Sequence, residues 1–94
     1  MARFTIRVVL HDNATWADYE QLESALAARN ITDVITADDG RRFKMPPAEY
    51  QCHGDLTSVQ VQQICVEAAT TTGKRHAVLV TESNSRAWVG LAPV

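Results

Sequence analysis

Nine side chains able to carry charge or move protons stand where hydrophobic runs begin or end: His11, Asp12, Asp38, Asp39, Arg41, Arg42, Lys74, Arg75 and His76. Carboxylates in such a group could hold a divalent cation or act as bases, and arginines could grip phosphate. The plainer reading of the same residues is turn formers, a helix cap and solvated charge. A second candidate set, His11, Cys52, His53 and His76, has donors that suit zinc. Cys52 and His53 fall at the far end of a strand, which at ~3.3 Å per residue sets them roughly 20 Å from the two histidines. With no C-x-x-C or H-x-x-x-H pair, no metal ligand set is assigned. Cys52 reads as a surface thiol and Cys65 as part of a helical core stripe. Glycine loops for phosphate, a G-x-S-x-G elbow and an H-E-x-x-H pair are all lacking.

The elements that would position these groups follow from periodicity. Phe4, Ile6, Val8 and Leu10 alternate with Thr5, Arg7, Val9 and His11, which is the period of a strand with one buried face. Asp12-Asn13 breaks it. Thr15 and Asp18 then form an acidic capping box ahead of Trp16, Tyr19, Leu22, Ala25 and Leu26, predicting a helix to about Arg29 with Asn30 as its stop. Ile31 to Ala37 is rich in β-branched residues and reaches Asp39-Gly40, so Arg41 to Met45 is its hairpin partner. Pro46-Pro47 interrupts that strand, which resumes through Tyr50 and Cys52. Thr57 with Gln60 caps a second helix, with Leu56 and Val61 spaced as a staple and Val61, Ile64, Cys65 and Ala68 as its stripe. Gly73 ends it, Ala77 to Thr81 is a strand, and Arg86 to Leu91 reads as a short fifth strand carrying Trp88.

This order predicts an α+β, ferredoxin-like βαββαβ domain: an antiparallel sheet with two helices on one face and a short extra C-terminal strand. Right-handed crossovers give the strand order fourth, first, third, second. All nine charged or histidine residues named above then meet at one rim. The sheet face away from the helices displays Thr5, Arg7, Val9, Arg42 and Lys44, a basic strip able to track an RNA backbone, with Lys74 and Arg75 at its border. The segment Arg41-Arg42-Phe43-Lys44-Met45 lacks the Gly-aromatic pattern of an RNA-recognition motif. Trp16, Tyr19, Tyr50 and Trp88 read as packing residues.

Composition bounds the answer without choosing a partner. The 94 residues, 46% apolar and 21% charged, suit one domain over 1–94 and exclude a disordered tail. Eleven acids against nine bases leave a net charge of −2, without the bulk basicity of many nucleic-acid binders. An N-terminus carrying Arg3 and Arg7 has no apolar run fit for a signal peptide or membrane span, so a cytoplasmic location with free thiols is expected.

Arg7-Val8-Val9-Leu10-His11-Asp12, Trp16-Ala17-Asp18-Tyr19, Asp39-Gly40, Pro47-Ala48-Glu49-Tyr50 and Val78-Leu79-Val80-Thr81-Glu82 resemble the GhoS-like family of type V toxin-antitoxin antitoxins over nearly the whole chain. The resemblance implies a ferredoxin-like endoribonuclease that cuts the toxin's messenger RNA, related in shape to the small CRISPR-associated adaptation nucleases. In those relatives an acidic residue after the first strand is implicated in metal binding, and Asp12 takes that place. For a nuclease, Asp12 would position a divalent cation or water, His11 would act as acid or base, and Arg41 and Arg42 would offset phosphate charge. RNA is then the expected partner, and neither DNA nor a membrane is. The competing class is a non-catalytic interaction module, a phage or mobile-element accessory protein using its sheet face or edge. Under either reading a homodimer formed through residues 86 to 91 is expected.

Overall fold

The computed structural model covers residues 1–94. Its elements are β1 (Ala2–Leu10), α1 (Trp16–Ala27), β2 (Val34–Thr36), β3 (Arg42–Lys44), β4 (Glu49–Gly54), α2 (Ser58–Thr70) and β5 (His76–Glu82). β1 is the organising strand. It pairs antiparallel with β4 on one side, Phe4 opposite Cys52, and with β5 on the other, Val8 opposite Val78. The three-stranded order is therefore β4-β1-β5, and β2 and β3 form a separate two-stranded ladder. One bridge, Thr32 to Gln51, joins the approach to β2 to the outer edge of β4.

Alternation along β1 sends Phe4, Ile6, Val8 and Leu10 beneath the helices, and all four are buried. They meet Leu22 and Leu26 of α1, Val61, Cys65, Ala68 and Ala69 of α2, and Tyr50 and Cys52 of β4 in one core. Both helices start at reciprocal capping boxes, Thr15 with Asp18 and Thr57 with Gln60, which satisfy backbone donors at each N-terminus. α1 stops at Asn30, whose φ of 62° reverses the chain so that Ile31 donates to the Leu26 carbonyl. Cys52 and Cys65 are free and buried, which corrects the surface placement expected of Cys52. Burial pushes the Cys65 thiol up to about 12, with Cys52 adding to the effect, and raises Cys52 as well.

Pro46-Pro47 does more than interrupt a strand. With no N–H at either position and Ala48 at φ 63°, the chain steps out of the sheet, so β3 cannot continue the register of β4. The hairpin closes through the Gly40 N–H to the Ala37 carbonyl at 2.9 Å, with Gly40 at φ 88°. Its own apolar face holds Ile35 and Met45, both buried but outside the main core.

The fifth strand expected over residues 86 to 91 does not form, nor does the edge it would offer a second copy. Gly90 takes φ 81°, which breaks an extended run, and pairing is confined to one antiparallel bridge further on, Pro93 with Phe43. Instead the chain leaves β5, anchors Ser83 to the Arg3 carbonyl at 2.8 Å, and crosses β1 to reach the hairpin. There the Lys44 N–H donates to the Ala92 carbonyl and the Val94 N–H to the Arg42 carbonyl. Trp88 meets Phe43 edge-on, with ring centroids 5.9 Å apart. Trp16 departs from expectation too: as the first residue of α1 it is 80% exposed, beside Pro46 and Pro47.

Because Phe4 sits on the central strand under both helices, Phe4→Ala should destabilise the fold by about 3–5 kcal/mol. Urea unfolding followed by circular dichroism would measure it; a loss below about 1 kcal/mol would show that the core does not depend on β1 as described.

Candidate functional site

Where β1 ends, Asp12 and Asn13 both adopt left-handed backbone, at φ 60° and 56°. This turn aims the Asp12 carboxylate back at the start of β5. It accepts from the Arg75 backbone N–H at 3.1 Å and from the Arg75 Nε at 2.9 Å, while Lys74 Nζ donates to the Asp12 carbonyl at 3.3 Å. The His11 N–H to the Arg75 carbonyl, 2.7 Å, carries the β1–β5 pairing one residue past Leu10. Lys74 also lies 3.9 Å from Asp18, which ties the α1 cap to the same corner. His11 is exposed, and His76 Nδ1 lies 3.0 Å from the Lys74 carbonyl oxygen.

This arrangement is a clasp. The hydrogen bonds from Arg75 hold the Asp12 carboxyl at about 2, well below its ordinary 3.8. A carboxylate that acidic is a weak proton acceptor, and its two oxygens already face a guanidinium. No three His, Cys, Asp or Glu side chains converge to hold a metal ion. The clasp brings together five of the nine residues assigned to one rim: His11, Asp12, Lys74, Arg75 and His76. Asp38, Asp39, Arg41 and Arg42 belong to the hairpin, and no hydrogen bond or ion pair joins them to the clasp.

The hairpin instead faces the other end of β1. Asp38 and Arg41 line a cavity of about 560 Å³ with Arg3, Phe43, Arg86 and Trp88. Arg3 and Asp12 are nine residues apart along an extended strand, roughly 30 Å. Arg41 bonds Asp39 through Nε at 2.7 Å and lies 5.8 Å from the centre of the Phe43 ring. Arg3 donates to the Asn84 carbonyl at 2.8 Å. Arg86 is half-buried, and its Nη1 is enclosed without any hydrogen-bond partner. Burial, with the nearby charge of Arg3, pulls the Arg86 pKa down.

The basic strip expected across Arg7, Arg42 and Lys44 is broken. Lys44 pairs with Asp33, and Glu23 stands near enough to reinforce its charge, so it is drawn into a groove beside α1. The break follows from the Pro46-Pro47 step, which detaches β3 from the sheet that carries Arg7. Arg7 keeps its exposed place on β1, opposite Glu49 of β4, whereas Arg42 stands two residues from Lys44 on the same face of β3, away from Arg7's face; neither makes an ion pair. Sequence reasoning passed over Arg3 and assigned Arg86 to a strand. Their meeting depends on the path of the tail, for which the only local signals were Ser83-Asn84-Ser85, Gly90 and Pro93.

No protein-family model matches the chain, and no curated protein matches it either.

The clasp has a pH signature. A folded-state pKa lowered to about 2 means that Asp12 contributes stability above its ordinary 3.8, and that this contribution fades as the pH falls toward 2. Asp12→Asn should therefore differ from the parent by a constant amount near neutrality, and the difference should shrink between those two values. Denaturant unfolding across the range would check it; a gap unchanged down to the acid limit would contradict the clasp.

Proposed function

We propose that this protein is a small RNA-binding protein on a ferredoxin-like βαββαβ scaffold, acting on messenger RNA in the manner of the GhoS-like antitoxins it resembles. One observation carries the reading. Of the nine basic residues, five make ion pairs, namely Arg29, Arg41, Lys44, Lys74 and Arg75. The four left without a carboxylate partner are Arg3, Arg7, Arg42 and Arg86, all of them arginines. They lie on β1, on β3 and in the tail, none on a helix. In a chain of net charge −2, unmatched guanidinium groups confined to strands and the tail suit a polyanion that supplies the missing charge. Arginine also matches phosphate oxygens two at a time, and Trp88 and Phe43 stand beside two of the four.

The scaffold reading rests on the order β4-β1-β5 and on the Thr32–Gln51 bridge, which sets the approach to β2 outside β4 as the ferredoxin-like order requires. Binding is better supported than cleavage, because Asp12 is occupied by Arg75 and is a weak base. Endoribonuclease activity would then draw on groups other than Asp12. A second reading, the protein-interaction module, has its own observation in the exposed Trp16 beside Pro46-Pro47.

Four arginine–phosphate contacts predict that the affinity for a single-stranded RNA falls with salt at a log–log slope of about −3. Arg7→Ala combined with Arg42→Ala should reduce the magnitude of that slope by roughly 1.4, and Asp12→Asn should leave it unchanged. Fluorescence anisotropy over a salt series measures all three. Absence of RNA binding at low salt, or the same slope in the double variant, would overturn the reading.

A further inference from the structure

The cavity between β1, the hairpin and the C-terminal tail is chemically unlike the rest of the surface. Three guanidinium groups, from Arg3, Arg41 and Arg86, come from three separate stretches of chain and line the same space. Only one carboxylate lines it, that of Asp38. Arg41 is offset by Asp39, but Arg3 and Arg86 have no acidic partner. Arg86 Nη1 is enclosed with no acceptor, and a guanidinium nitrogen removed from water without a hydrogen bond is among the costlier features a fold can retain. Arg3 stands near enough to Arg86 for its charge to be felt there. Two like charges placed together, one of them partly desolvated, work against folding, and an anion between them would relieve it.

Aromatic rings share this lining, Phe43 beneath the Arg41 guanidinium at 5.8 Å. Phe43 and Trp88 pack edge-on at 5.9 Å and both line the cavity. At about 560 Å³ the space lies within the ~300–1,000 Å³ typical of small-molecule sites. Flat rings beside converging guanidiniums match a ligand that has a planar base at one end and a phosphate at the other.

We propose that this cavity binds the phosphate of a nucleotide, with Arg86 and Arg3 donating to its oxygens and Trp88 packing against its base. The nucleotide can be free or can be the phosphorylated end of an RNA strand. Only the second source rests on the RNA-binding reading above. Arg86 is only half-buried and lines the cavity, so the part of its guanidinium that reaches the space is what meets the phosphate, while the enclosed Nη1 stays behind it. Asp38 disfavours more highly charged polyphosphates and is placed to accept from a ribose hydroxyl or an exocyclic amine.

Equilibrium binding of adenosine monophosphate, inorganic phosphate and adenosine to the full chain tests the site, with thermal unfolding as a second readout. The monophosphate should bind with a stoichiometry of one and raise the melting temperature, inorganic phosphate should bind more weakly, and adenosine should not bind. Arg86→Gln should weaken the monophosphate at least tenfold. Without ligand this variant should melt no lower than the parent, because the substitution removes a half-buried charge that has no partner. Trp88→Ala should weaken the monophosphate severalfold and leave inorganic phosphate unaffected. A single-stranded RNA with a terminal phosphate should bind at least tenfold more tightly than its hydroxyl-ended twin, and Arg86→Gln should erase that preference. If the monophosphate binds as described while the two RNAs bind equally, the site stands with a free nucleotide as its ligand and the RNA-end source falls. Failure of both the monophosphate and inorganic phosphate to bind, or equal affinity in Arg86→Gln, would overturn the site itself, whatever the RNA measurements show.

Discussion

Everything in this fold takes its position from the two-sided pairing of β1. One face of the strand, from Phe4 to Leu10, supplies the floor of the core, while its two edges hold β4 and β5 in register. Because side chains alternate, burying the even-numbered residues forces Arg3, Thr5 and Arg7 to the outer face. A slip of one residue in either pairing would exchange the two sets. The register that makes the core therefore also presents the arginines, and the packing and the proposed binding surface are two consequences of one constraint.

The charges divide along the length of the same strand. At its C-terminal end Asp12, Arg75, Lys74 and Asp18 satisfy one another and close the β1–β5 corner. Near its N-terminal end Arg3 and Arg86 come together without compensation. Acid and base are thus nearly balanced in total and unevenly distributed in space. Ion pairs as exposed as Asp12 and Arg75 contribute little stability individually, so the clasp serves mainly to fix where β5 begins. Retaining an unpartnered guanidinium in a chain of this size is harder to explain by folding alone, since a core this small has little stability to spare.

Local signals were legible where local chemistry decides the outcome. The period of β1, the capping boxes at Thr15 and Thr57, the left-handed stop at Asn30 and the Pro46-Pro47 break are each determined within a few residues, and the structure shows each of them. Placement of the hairpin was not legible, because leaving the sheet frees β3 from the register that would have positioned Arg42 and Lys44. Residues 86 to 91 read as a short strand carrying Trp88, yet their path is set by distant partners: the carbonyl of Arg3, the N–H of Lys44 and the ring of Phe43. Trp16 misled for a related reason, since helical spacing identifies a face without showing whether anything covers it. The corner clasp was anticipated in its members, and the arginine cavity was not, because it is assembled from three segments whose proximity only the tertiary structure creates.

We propose that the functional surface lies on the outer face of β1, the hairpin and the tail, with the Asp12 corner structural. Titration of the isotope-labelled protein with a short single-stranded RNA, followed by amide chemical shifts, tests it most directly. The account predicts shifts concentrated at Arg3, Arg7, Arg42, Arg86 and Trp88, with His11, Asp12 and Arg75 unmoved. Shifts centred on His11, Asp12 and Arg75 that spare the tail would contradict it.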